Sequence, residues 1–313
     1  MLVTHPPSRP PAAPRRLADL IALSRPMHAA KSLLLVPIAL IDAPHWTPRE
    51  LGAIGWAVAA FTLAAICVYV GNDIADRDRD RNHPAKRRRP VAAGQVSVRA
   101  GVLYCTALLG LLGALIVTAP GGPYWPVLVY LGLNIAYSRG LKHIPLLDMG
   151  VVALGLVLRV VQGYVSLGQP VSAWLVVAVL SVSLLLLTGK RRHELMTAGT
   201  EHRPALRGYS LELIDQLLPL TGVLSVVAGL IYLATDAPFG SYHQAAVLLS
   251  APFALFTLFR YLQLLVVHRD GGDPVRTLLR DRVLIIAGVL WIGALAVILL
   301  LAHNSAATEA VVL

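Results

Sequence analysis

Charge is the scarcest thing in this sequence. Only 14% of its 313 residues are Asp, Glu, Lys or Arg, against about 25% in a typical soluble domain. With 56% hydrophobic residues and a mean hydropathy of +0.67, that shortage excludes an ordinary water-soluble globular fold. Cysteine is nearly absent. Cys67 and Cys105 have no metal-like spacing, which excludes a disulfide scaffold and a thiolate metal centre, and both read as reduced packing residues. Acid is scarcer than base, and the formal net charge is +10. In a soluble chain that excess would suggest nucleic acid; here it reads as membrane topology and anionic substrates, and no nucleic-acid partner is expected. No small-residue cleavage pattern follows the Pro-rich opening MLVTHPPSRPPAAPRR. Residues 1–24 are therefore expected to be a disordered cytoplasmic lead-in rather than a removed signal peptide.

What the sequence has in abundance is long apolar blocks. They predict nine spans, at 28–44, 51–71, 101–118, 123–138, 145–166, 171–189, 212–235, 243–267 and 283–302. Such blocks must be helices, because lipid offers an open backbone no hydrogen-bond partner. The first is interrupted by Lys31 and Pro37. Lys and Arg alternate across the blocks. Five fall in the N-terminal segment through Lys31, eight in 72–100, two in 138–144, five in 190–211 and four in 268–282. The intervening loops hold only Arg49, and Arg159 and Arg260 fall within spans. The positive-inside rule puts the N-terminus in the cytoplasm and the C-terminus outside. The expected fold is all-α, a polytopic helical bundle of about nine transmembrane helices. Residues 25–303 form its catalytic domain and 304–313 a short extracytoplasmic tail. The long loops all lie on the inner face, so function is expected there.

The loop after the second span reads GNDIADRDRDRNHPAKRRRPVAAGQVS. Asn72, Asp73, Asp76 and Asp80 fit NDxxDxxxD. If the helix continues through them, the three aspartates stand at i, i+3 and i+7 on one face. Carboxylates so placed repel one another unless a cation lies between them. Oxygen-only ligands suit Mg²⁺, which completes its shell with water and substrate phosphates. The plainer reading is a charged juxtamembrane loop balanced by its own arginines, and Asp78 points elsewhere.

This motif resembles the first aspartate-rich motif of the UbiA superfamily of membrane prenyltransferases. RPMHAAKSLLLVP from Arg25 to Pro37 resembles that family's opening segment, and HPAKRRRPVAAGQVS the basic stretch after the motif. The resemblance spans the whole chain. It implies a nine-helix bundle with Asn72, Asp73, Asp76 and Asp80 holding Mg²⁺ on a diphosphate. The family's usual second acidic motif is missing. TGKRRHELMTAGTEHRPALRGYS stands in its place. There Lys190, Arg191 and Glu194 share a helical face that is net basic and suited to phosphate.

GKRRHEL, the segment Tyr137 to Asp148 and the segment Gly271 to Leu284 together resemble the decaprenyl-phosphate phosphoribosyltransferase branch of that family. The resemblance implies a bacterial cytoplasmic-membrane enzyme of cell-wall arabinan precursor synthesis. Its donor would be phosphoribosyl diphosphate and its acceptor a polyprenyl phosphate. Three phosphate-bearing groups need many cations. The candidates are Lys31, Lys86, Arg87, Arg88, Lys142, Arg159, Lys190 and Arg191, with Tyr137, Asp148 and Glu194 beside them. Asp73, Asp76, Asp80 and Lys190 are the residues on which activity should depend. The acceptor oxygen is already anionic, so positioning and electrostatics would supply the rate without a strong general base.

Asp148 and Arg159 lie eleven residues apart, close to three turns, on one side of the fifth helix. Arg159 would sit about 16 Å deeper and face the bundle interior, binding a phosphate or an Asp. Lys31 reads equally as a helix-end anchor, and Arg260 as a side chain snorkelling to the surface. Two other functions fit less well. A prenyltransferase using a prenyl diphosphate and an aromatic acceptor predicts a second acidic cluster. A transporter predicts ionisable residues in many spans. Lipid chain length and homo-oligomerisation stay open.

Overall fold

The structure, a computed structural model, describes residues 16–43, 46–81, 86–120, 122–198, 204–268, 272 and 274–312. Every regular element among them is helical. The helices are α1 (Arg16–Ser24), α2 (Pro26–Leu35), α3 (Pro48–Ala75), α4 (Arg77–Arg81), α5 (Val98–Thr118) and α6 (Trp125–Arg139). They continue as α7 (Leu147–Leu167), α8 (Ala173–Ala198), α9 (Leu211–Thr235), α10 (His243–Val266), α11 (Pro274–Arg280) and α12 (Arg282–Val312). Seven of them, α3, α5 and α7 to α10 and α12, are long and apolar enough to cross a membrane.

Seven of the nine expected spans fall on these long helices. The two weakest differ in form. Pro37 splits the first, so α2 gives way to a 3-10 turn at Val36–Leu40, as a residue without a backbone N–H would require. The fourth is cut to the 15 residues of α6, between Pro123 and the Gly140 turn. Residues 16–24, expected within the disordered lead-in, form α1 instead, because Leu20 and Leu23 have an apolar surface to cover. Residues 1–15 lie outside the described residues. The expected tail continues the helix of α12 to Val312.

The chain divides into two compact units. Unit 1 comprises residues 1–30 and 62–115. In its core Leu23 of α1 meets Val70 of α3 and the buried loop residues Val91 and Val96. Cys67 and Cys105 are free thiols within it. Unit 2 comprises residues 31–61 and 116–313. There α8 packs along α9 and α7, and α10 packs on α9 and α12. Close approach depends on glycine. A Cβ on Gly163 of α7 would lie 2.1 Å from the Val36 carbonyl oxygen, so the 3-10 turn lies directly on α7. α7 ends at Gly168, whose φ of 67° closes the helix in the left-handed region.

Candidate active site

In unit 1 the helical path runs past the end of α3. Asp76 N–H donates to the Asn72 carbonyl at 2.9 Å, and Asp80 N–H to the Asp76 carbonyl at 2.8 Å. These i to i−4 bonds carry the helix phase into α4 and put Asp73, Asp76 and Asp80 on one face. Asp73 and Asp80 are buried. One guanidinium joins them: Arg89 Nη1 lies 2.6 Å from Asp80 Oδ2 and 3.3 Å from Asp73 Oδ1. Arg25 also donates to Asp73 Oδ1. It sits at φ 48° in the break between α1 and α2, a strained conformation for a side-chain-bearing residue, and burial lowers its pKa against the pull of Asp73. Asp78 is exposed and paired with Arg77 and Arg81.

No three His, Cys, Asp or Glu side chains among the described residues converge on one metal position. The physical reason is that arginine compensates the aspartates. Asp73 Oδ2 nevertheless remains buried with no hydrogen-bond partner among the described residues, and buried carboxylate oxygens are costly to leave so. Mg²⁺ needs only one or two protein carboxylates beside substrate phosphate. An orphaned carboxylate oxygen in a row of hard oxygen donors fits it. Asn72, Asp76 and Lys86 are half-buried, whereas Arg87 and Arg88 are exposed.

In unit 2 the first turn of α7 and the last turns of α8 are locked together. Arg191 Nε donates to Asp148 Oδ2 at 3.0 Å, and Arg191 Nη1 donates to Glu194. Tyr209 Oη donates to Asp148 Oδ1 at 2.6 Å and accepts from the Leu146 N–H at 2.6 Å. Leu146 has a φ of 67°, so the phenol clamps a strained residue at the start of α7. Asp148 and Arg191 are both buried. Burial and the bond to Asp148 together raise the Tyr209 pKa, which keeps the bridging proton in place. Tyr137 lies near Arg191, and Tyr137, Lys142 and Lys190 are half-buried.

Asp148 therefore pairs with Arg191 and Tyr209, not with Arg159. A shared side of one helix is no contact when three turns intervene. Arg159 is buried among neutral groups instead. It donates to Ser32 Oγ at 3.2 Å, to Tyr130 Oη at 3.3 Å and to the Gly155 carbonyl. Its guanidinium stacks 4.7 Å from the Tyr130 ring centroid and 5.3 Å from that of Phe61. Ring faces stabilise a desolvated cation by about 2 kcal/mol each at best. Lys31, beside Ser32, is half-buried. Arg260, read from sequence as snorkelling, is held by Asp281 at 2.6 Å.

Three residues escaped the sequence reading as site members: Arg25, Arg89 and Tyr209. Arg25 could have been suspected from the proline after it, which breaks the helix there. Nothing in the run Arg87, Arg88, Arg89 says which arginine turns inward. That is decided by the fold of the following loop, where Gln95 and Val96 N–H groups donate to the Pro90 carbonyl and Pro90 to Ala92 are buried.

The profile of the UbiA prenyltransferase family matches residues 33–279. The chain is 30% identical to a decaprenyl-phosphate phosphoribosyltransferase of Mycobacterium tuberculosis, over 93% of this chain and 96% of that one. It is 29% identical to one of the same name from Corynebacterium glutamicum, over 89% of this chain and 86% of that one. Among solved structures, a UbiA homolog from Archaeoglobus fulgidus bound to GPP and Mg²⁺ superposes with a TM-score of 0.64. It is 19% identical and covers 91% of this chain and 97% of its own. The chain belongs to the UbiA prenyltransferase family and is a multi-pass membrane protein.

Proposed function

We propose that this protein transfers the 5-phosphoribosyl group of phosphoribosyl diphosphate to a polyprenyl phosphate, releasing diphosphate, at the inner face of the bacterial cytoplasmic membrane. The product would serve cell-wall arabinan precursor synthesis. The observation that carries this reading is the basic inner end of α8. In a chain similar over nearly its whole length to relatives named for that reaction, the basic run Lys190, Arg191 and Arg192 takes the place of a second acidic cluster; Arg191 is held by Asp148 and Glu194 and Arg192 by Asp215, and Lys190 is the one we assign to phosphate.

In this reading Asp73, with Asp76 or Asp80, holds Mg²⁺ on the donor diphosphate, and Asn72 supports the turn. When bound, Mg²⁺ neutralises charge that builds on the departing diphosphate. The chain's own residues do the rest. The C1–O bond to diphosphate breaks, ribose C1 gains oxocarbenium character, and an acceptor phosphate oxygen bonds to C1 from the opposite side. The acceptor arrives as an anion, so no proton has to be removed. Lys142 and Lys190, with Lys31 and Lys86, are assigned to substrate phosphates. Arg87 and Arg88 are exposed, and we assign them to phosphates of the donor or of the membrane surface. Asp148, Arg191, Glu194 and Tyr209 are assigned as positioning residues, because their polar atoms are already engaged with one another. Arg159 is assigned to deep electrostatic support of the acceptor, since its described contacts include no carboxylate.

The test offers purified protein labelled phosphoribosyl diphosphate with polyprenyl phosphate, and separately labelled prenyl diphosphate with an aromatic acid. Labelled lipid from the first pair, abolished by EDTA, is the expected result. Label only from the second pair would replace this reading with ordinary prenyl transfer.

A further inference from the structure

Helices α8, α9, α10 and α12 of unit 2 surround a partly open cavity of about 340 Å³. Its walls are almost wholly hydrocarbon. On α9 the wall runs from Ser225 to Leu233, about 12 Å of helix.

The cavity leads to the basic end of α8. Val182 and Leu186 line it, and Lys190 follows at the same four-residue step, on the same row of the helix. Tyr261 marks the junction. Its side chain lines the cavity and is 2% exposed, and its hydroxyl has no hydrogen-bond partner among the described residues. That hydroxyl reaches α8 at Gly189, where a Cβ would lie 2.7 Å from it. A cation, a buried hydroxyl and an apolar cavity thus follow one another toward the interior of unit 2. That order matches a phosphate, its ester oxygen and a hydrocarbon tail.

We infer that this cavity seats the first isoprene units of the lipid substrate, with its phosphate toward Lys190 and the Tyr261 hydroxyl donating to a phosphate or ester oxygen. The inference rests on the reading of the acceptor as a polyprenyl phosphate and says where the fold holds it.

Gly229 lines the cavity, and an added Cβ there meets nothing within 4 Å. Gly229→Phe therefore fills the cavity without a clash, and Ala254→Phe fills it from the α10 wall. The readout is equilibrium binding of radiolabelled ligands to purified protein, not turnover. Filling the cavity is expected to weaken a long-chain polyprenyl phosphate at least tenfold. Methyl phosphate, which carries no tail to seat, should bind within twofold of wild type, as should phosphoribosyl diphosphate with Mg²⁺. Gly229→Ala should bind like wild type. Unchanged long-chain binding in both filled variants overturns the inference. So does equal loss of the lipid and methyl phosphates, or displacement of co-purified phosphatidylglycerol alone, which would make the occupant a bilayer lipid. A wild-type protein with chain-length-dependent binding but no phosphoribosyl transfer would sink the proposed reaction and leave the tail site standing.

Discussion

Arg89→Gln tests the acidic row without relying on turnover. Asp73 and Asp80 are 1% and 3% exposed, and Arg89, itself 25% exposed, is the cation that touches both. Breaking a wholly buried ion pair by removing one partner costs about 3–5 kcal/mol. The partial exposure of Arg89, and Arg25 remaining on Asp73, lower the expected loss to about 2–4 kcal/mol. At about 2 °C per kcal/mol for a chain of this size, the melting point should fall by about 4–8 °C in the absence of divalent ions. A thiol-reactive dye gives a local readout, because the only two cysteines, Cys67 and Cys105, lie in unit 1 and become reactive as it opens. Mg²⁺ should then recover much of the loss. An ion at a hundred times its Kd stabilises by about 2.7 kcal/mol, and the variant's carboxylates lack the competing guanidinium. Arg89→Lys should fall between, since an ammonium keeps the charge but not the fork. Coincident melting of Arg89→Gln and wild type, with and without Mg²⁺, would refute the idea that the aspartates depend on a shared cation.

Other outcomes follow from the same contacts. Tyr209→Phe removes the acceptor of the Leu146 N–H and one hydrogen bond to the buried Asp148, and should cost about 1–3 kcal/mol in thermal or denaturant unfolding. It should also lower kcat with little change in the KM for donor, as expected of a positioning residue. Arg191→Met should destabilise strongly, because Asp148 would be left buried without its cation, and Arg191→Met with Asp148→Leu should recover part of that loss. The hydrogen bond from Arg260 holds the Asp281 carboxyl below the usual carboxylate range. A depressed folded pKa stabilises above the unfolded value of about 3.9 and loses that contribution as pH falls through the folded value. The stability difference between wild type and Asp281→Asn should therefore be full at neutral pH and fade in acid. A difference that grows on acidification would contradict the pairing.

Much of the fold was legible because bilayer thickness imposes a length on every apolar block, and seven blocks meet it. The two segments that read least well are those where proline acts, at Pro37 and at the start of α6. In the site, the i, i+3, i+7 spacing of Asp73, Asp76 and Asp80 was readable because it belongs to one helix. The partners were not. Asp148 meets Arg191 from another helix and Tyr209 from a loop some sixty residues away, and such contacts depend on how α7 and α8 are rotated, which no local period encodes. Arg159 is buried, in keeping with an interior-facing place eleven residues after Asp148, but its partners are aromatic rings and hydroxyls, which no spacing encodes.

In the proposed reaction Asp73 anchors the departing diphosphate while a lipid phosphate attacks the sugar. The most direct measurement is transfer of ³²P from 5-labelled phosphoribosyl diphosphate into the organic-solvent extract, by folded wild type and by Asp73→Asn at saturating Mg²⁺. Labelled polyprenyl lipid from wild type, and at least a hundredfold less from the variant, is the predicted result. Undiminished label from Asp73→Asn, or none from wild type with any polyprenyl phosphate, would contradict it.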